Sequence, residues 1–148
     1  MELLHQSRES AEQSSLLQNC IVRKATFKDR LIMLLHLEVQ RGAECSVIEC
    51  NEQLVAWGSY TNYSKGAYIY NLYVVQEWRR KGLGSSLVKK LMQEATQPVY
   101  LHSPSSLIGF FTRLGFVPSH LVGKHTGLEP MVYINTSESV SVATEKMD

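Results

Sequence analysis

Residues 68–95 read YIYNLYVVQEWRRKGLGSSLVKKLMQEA, and this stretch decides the fold. It opens as an apolar, aromatic and β-branched run, Tyr68-Ile69-Tyr70-Asn71-Leu72-Tyr73-Val74-Val75, which reads as a buried strand. A basic turn follows, Arg79-Arg80-Lys81, with glycines at Gly82 and Gly84. The remainder has helical period: Leu83, Leu87, Val88, Leu91, Met92 and Ala95 fall on one side, and Lys89, Lys90, Gln93 and Glu94 on the other. A strand, a basic Gly-x-Gly turn and a helix start together form an anion site. The N–H groups of the first helical turn have no partner inside the helix, and its dipole favours negative charge there.

Working outward, residues 1–19 are polar, rich in Ser, Gln and Glu, and read as a flexible arm. Cys20 to Ala25 alternates as a first strand, and Thr26 with Asp29 has the spacing of a capping box at the head of an apolar helix ending near Gly42. Ser46 to Tyr60 reads as a hairpin turning at Asn51-Glu52, followed by a polar loop from Thr61 to Gly66. Downstream of the central stretch, Pro98 stops the helix and Val99-Tyr100-Leu101-His102 forms a short strand. A short helix over Leu107 to Leu114 closes on Gly115, with Phe116 packing behind it. Phe116 to Val122 and Met131 to Ile134 read as the last two strands, and residues 136–148 as a disordered tail. The order β-α-β-β-β-α-β-α-β-β mixes hairpins with crossovers. It predicts one domain over residues 20–135, of α/β (α+β) class with a mixed central sheet.

The bulk properties bound the function. A chain of 148 residues can bury one core, and 44% hydrophobic with 20% charged residues is an ordinary globular balance. A net charge of +1 provides no field for nucleic acid or an acidic membrane surface, and no apolar run is long enough for a membrane span. The three cysteines, Cys20, Cys45 and Cys50, are odd in number and lack metal-type spacing. They read as buried or free thiols of a cytoplasmic protein, not as a disulfide framework. No metal site is expected: His120 and His125 have no third ligand.

Three phosphate motifs compete for the Gly82 turn. A Walker loop needs Lys-Ser/Thr after its last glycine, and Gly84 is followed by Ser85-Ser86. A dinucleotide fingerprint needs a third glycine where Leu87 stands, and a small uncharged turn. The third pattern, Arg/Gln-x-x-Gly-x-Gly/Ala after a Val-rich strand end, is present as Arg79-Arg80-Lys81-Gly82-Leu83-Gly84.

With Val74-Val75-Gln76-Glu77-Trp78 before it, this segment resembles motif A of the GNAT superfamily of acetyl-CoA-dependent N-acetyltransferases. Phe110-Phe111-Thr112-Arg113-Leu114-Gly115-Phe116 is similar to that family's later Phe-Tyr-Glu-Lys-Leu-Gly-Phe run. Ile21-Val22-Arg23-Lys24-Ala25-Thr26 resembles its opening, and Leu54-Val55-Ala56-Trp57-Gly58 its second-to-third strand hairpin. The likeness covers residues 21–134.

The resemblance implies a mostly antiparallel sheet flanked by helices, with the fourth and fifth strands splayed apart. It implies acetyl-CoA as acetyl donor, transfer by direct attack of a primary amine (small-molecule or protein), and no metal. Backbone amides over Arg79, Arg80, Lys81, Gly82, Leu83, Gly84 and Ser85 would hold the coenzyme pyrophosphate. The backbone near Leu72, Tyr73 and Val74 would hold the pantetheine and thioester, with Leu72 as the oxyanion donor. A homodimer is common in the family. In many members the Tyr of the later run protonates the departing thiolate; here that position is Phe111. His102 lies near where the ribosomal-protein N-terminal acetyltransferases carry a Glu, and is the candidate general base. Phe111 keeps a second reading open, a CoA-binding regulatory or interaction module with weak or no catalysis. Tyr68, Tyr70 and Tyr73 read mainly as strand packing.

Overall fold

The computed structural model describes residues 19–34, 43–120, 123 and 127–135. The arm over residues 1–18, the end of the first helix towards Gly42 and the tail over residues 136–148 lie outside the described residues. Seven strands form one sheet in the order β1-β2-β3-β4-β5-β7-β6. They are β1 (Cys20–Lys24), β2 (Glu44–Cys50), β3 (Gln53–Tyr63), β4 (Gly66–Val74), β5 (Val99–Pro104), β6 (Val117–Pro118) and β7 (Leu128–Tyr133). The helices are α1 (Phe27–Leu34), α2 (Leu83–Glu94) and α3 (Ile108–Arg113). The order of strands and helices is the expected one, and β4–β5 is a parallel pair in a mostly antiparallel sheet.

Two compact units can be told apart. Of the described residues, the first takes in those up to Ser59 and Asn71–Leu91, the second Tyr60–Tyr70 and those from Met92 onwards.

In the first unit β1 pairs antiparallel with β2, from Cys20↔Cys50 to Lys24↔Ser46. The capping box at the head of α1 forms in both directions. Asp29 N–H donates to Thr26 Oγ1 at 3.3 Å, and Thr26 N–H donates to Asp29 Oδ2 at 2.7 Å. Arg23 on β1 closes on the same carboxylate from two nitrogens, at 2.5 and 3.2 Å, and reaches Glu49 at 3.2 Å. The two-residue hairpin at Asn51 and Glu52 has both residues in the left-handed region, φ 50° and 65°, as a type I′ turn requires. Helix α2 buries Leu83, Leu87, Val88 and Leu91, the apolar side expected for it. Gly58 on β3 lets that helix come close: a Cβ there would lie 2.7 Å from the Leu72 side chain and 3.0 Å from Leu91.

In the second unit β5 pairs antiparallel with β7 along its whole length, and β6 adds two residues beyond β7. Ala67, Ile69, Val99, Leu101 and Ser103 are buried on one side of β4 and β5. Tyr68, Tyr70, Tyr100 and His102 alternate with them and are half-buried. Helix α3 ends on Gly115 at φ 100°, with Phe116 N–H returning to the Phe111 carbonyl and the Phe116 ring fully buried.

Two expectations need correction. Thr61 to Tyr63 is the end of strand β3, not loop, so only Ser64 and Lys65 turn the chain into β4. The polar side chains of Thr61 and Asn62 looked like loop residues because they lie on strand ends that do not need apolar alternation. Cys20 and Cys50, read as thiols, are joined by a disulfide, and Cys45 is the free, buried cysteine. Their separation of 30 residues hides that they are opposite neighbours in the β1–β2 register, with Cα atoms 4.1 Å apart. The bridge removes the cysteine argument for a reducing compartment. Among the described residues no helix is long and apolar enough to cross a membrane.

Candidate functional site

The strand–turn–helix of the first unit is built as follows. After Val74 the chain makes a short 3₁₀ turn over Gln76–Trp78, with Trp78 N–H donating to the Val75 carbonyl at 2.8 Å. Arg79 then ties the turn back to the strand. Its Nε donates to the Val74 carbonyl at 2.8 Å, its guanidinium lies 5.5 Å over the Tyr73 ring, and its N–H donates to the Gln76 carbonyl at 3.2 Å. Tyr73 in turn stacks on the buried Trp57, with ring centroids 4.9 Å apart. Lys81 folds over Trp78 at 5.4 Å. Arg79 and Lys81 are therefore held against aromatic rings, and the Arg79 amide is already used within the turn.

Beyond Arg79 the backbone opens. Arg80 and Gly82 are both left-handed, at φ 64° and 81°, and alternate with neighbours of ordinary handedness. At Gly82 no atom lies within 4 Å of where a Cβ would sit, so glycine is needed there for its φ and leaves open space above the turn. The Gly82 carbonyl accepts from both Ser86 N–H and Ser86 Oγ, each at 3.1 Å. That is the first bond of α2, which leaves the N–H groups of Leu83, Gly84 and Ser85 pointing out of its first turn. Three amides at a helix start, a left-handed approach and open space can hold an anionic group such as a phosphate.

On β4 the parallel ladder to β5 consists of Ala67↔Val99 and Tyr68↔Tyr100. Asn71 has a left-handed φ of 57° within β4, which runs on through Leu72 and Tyr73 to Val74. The two pairs of the β4–β5 ladder lie before Asn71.

In the second unit, the side of β4 and β5 away from the buried row carries a hydrogen-bonded aromatic cluster. Tyr68 Oη bonds His102 Nδ1, and His102 Nε2 lies 2.5 Å from the Gly123 carbonyl. The Tyr68 ring is 5.0 Å from that of Tyr70, whose hydroxyl is 3.2 Å from the hydroxyl of Tyr63. Burial pushes the Tyr68 phenol up, and pushes Tyr70 up to about 12, so both stay neutral at physiological pH. Phe111 lies elsewhere in this unit. It is 3% exposed, edge-on to Phe110 and Phe116 at 5.0 and 5.7 Å, and is a core side chain.

Reading the sequence named His102 but missed its partner. Tyr68 alternates like any strand tyrosine, and the only signal was that Tyr68, Tyr70 and His102 share the side of β4 and β5 opposite the buried row. Among the described residues no three His, Cys, Asp or Glu side chains gather as a metal site.

Comparison with known proteins agrees with this fold. No curated protein sequence matches the chain. Among solved structures, Escherichia coli ElaA superposes with a TM-score of 0.64 at 14% identity, over 77% of this chain and 99% of that one. The ribosomal-protein-S18-alanine N-acetyltransferase from Escherichia coli gives 0.63 at 16% identity, over 78% and 93%. N-acetylglutamate synthase from Neisseria gonorrhoeae, complexed with coenzyme A and L-arginine, gives 0.65 at 14% identity over 78% of this chain, which spans 33% of that enzyme. These likenesses show the fold. The profile of the acetyltransferase (GNAT) family matches residues 9–116, which contain the strand–turn–helix site, and the chain belongs to that family.

Proposed function

We propose that the chain is an N-acetyltransferase that moves an acetyl group from acetyl-CoA to a primary amine by direct attack, with residues 20–135 as its transferase domain. The observation that carries this reading is the open turn from Arg80 to Ser85 in a GNAT-family chain. Its outward amides match a pyrophosphate, and the fold neighbour from Neisseria was crystallised with coenzyme A. In this reading Arg79 shapes the turn, the amides from Arg80 to Ser85 hold the pyrophosphate, and the β4 backbone at Leu72, Tyr73 and Val74 holds the pantetheine and thioester. The Leu72 N–H would stabilise the oxyanion as the amine adds. His102 takes the proton that the acceptor ammonium must lose before it can attack. Direct transfer needs no protein nucleophile. Cys45, the free cysteine, is buried, and burial pushes its thiol pKa up, away from the reactive thiolate.

Phe111 favours a second reading, a CoA-binding module with weak or no catalysis, because the family's usual acid position is filled by a core ring. Incubation with acetyl-CoA and panels of small primary amines and peptides, following thiol release, separates the two. Acceptor-dependent release at multiple turnover is the expected result. A rise in melting temperature with acetyl-CoA but no release above the no-acceptor rate would favour the binding module.

A further inference from the structure

The first unit carries an apolar surface to which the transferase reading gives no task. Phe27, Leu31 and Leu34 follow one another at helical spacing along α1 and are 78%, 50% and 56% exposed. They lie on the side of the helix opposite Asp29 and Met33, which are buried. An ordinary surface helix turns polar groups to water, whereas α1 has large apolar groups in a row on its outer side. Such a row marks a docking surface. The charge beside it is positive. Lys28 is exposed and adjoins Leu31 at a spacing of i, i+3, and Lys24 is exposed at the end of β1. Asp29, the acid of α1, is turned inward onto Arg23, and Arg30 is held at the Ala43 carbonyl at 3.2 Å.

We propose that this stripe is the docking site of the chain's own residues 1–18. That segment leads directly into β1, and its composition complements the stripe. It supplies two leucine pairs, Leu3-Leu4 and Leu16-Leu17. Its charges are three carboxylates, Glu2, Glu9 and Glu12, against Arg8, a net charge of −2 to set against the two lysines. Its reach is sufficient. The 16 residues from Leu4 to Cys20 span up to about 50 Å when extended, while the seven from Cys20 to Phe27 span at most about 25 Å and α1 itself about 12 Å. A tethered segment meets its site at an effective concentration of about millimolar, so two leucine pairs and a modest charge match hold it where a free peptide of the same sequence would not stay. A second copy is the poorer occupant, because stripe against stripe sets Lys28 against Lys28.

The full chain tests this with a nitroxide on Ser10→Cys, between the two leucine pairs. The label goes to the introduced thiol alone, because Cys45 is buried and Cys20 and Cys50 are bridged. Amide signals from Phe27 to Leu34 are expected to lose most of their intensity beside the nitroxide, equally at every protein concentration. They are expected to recover when Leu3, Leu4, Leu16 and Leu17 are all changed to Ser. Amide exchange over the same helix is expected to be about tenfold slower in unlabelled wild type than in that four-leucine variant, which corresponds to about ten docked molecules for each undocked one. Neither readout depends on activity. Unchanged α1 signals in the labelled chain, or broadening that persists without the leucines, would overturn the proposal. So would broadening that grows with concentration alongside a dimer in sedimentation, which would give the stripe to a second copy. Wild-type binding to vesicles of anionic phospholipid, abolished by Leu31→Asp, would give the stripe to a membrane surface and overturn the proposal equally.

Discussion

Phe111 shows how one side chain separates binding from chemistry. Its ring is buried at 3% exposure between Phe110 and Phe116, so its first job is packing. Restoring the family's hydroxyl by Phe111→Tyr places an oxygen in that apolar setting, at a cost of about 1–3 kcal/mol if it finds no partner. The expected outcome is a lower melting temperature with no gain in thiol release, because the ring at this position is packed in the core. A variant that releases thiol severalfold faster than wild type would show that a missing acid limits the enzyme. Arg79 is a related case. Its charge suggested a phosphate ligand, but its hydrogen bond to Val74 and its seat on Tyr73 make it a strut that shapes the turn.

At the scale of elements, the head of α1 is where charge and helix geometry meet. Arg23, with the Thr26 amide and hydroxyl, holds the Asp29 carboxyl down at about 2, below its ordinary 3.8, against the opposing effect of burial. A depressed carboxylate stabilises the fold above its unfolded pKa and ceases to as pH falls through the folded one. About 2 kcal/mol of stability is therefore expected to disappear between about pH 4 and pH 2, and Asp29→Asn should flatten that part of the melting-temperature profile. An unchanged acid slope in Asp29→Asn would contradict the assignment. This capping box was legible in the sequence because its partners are three residues apart. So were the apolar side of α2, the Asn51-Glu52 hairpin turn, and the glycine stop at Gly115. What sequence reading missed depends on pairs distant along the chain: the Cys20–Cys50 bridge and the contact of Tyr68 with His102. Local periodicity carries no information about register between strands.

For the molecule as a whole, the cysteine count and the family signature lead to separate expectations. A bridge closing a 30-residue separation removes conformations from the unfolded chain, worth about 3.6 kcal/mol on a loop-entropy basis. Thiol titration of the denatured, unreduced protein should find one free thiol, Cys45; three would mean that the bridge does not form in the protein as made. The central claim is that the turn from Arg80 to Ser85 is a coenzyme A pyrophosphate clamp on a transferase. Calorimetric binding of acetyl-CoA, set beside S-acetylpantetheine, which lacks the pyrophosphate, tests it most directly. Wild type is expected to bind acetyl-CoA at least tenfold more tightly than the truncated thioester, and Gly84→Leu to lose that preference while keeping its fold. Equal affinity for the two thioesters in wild type would contradict the claim.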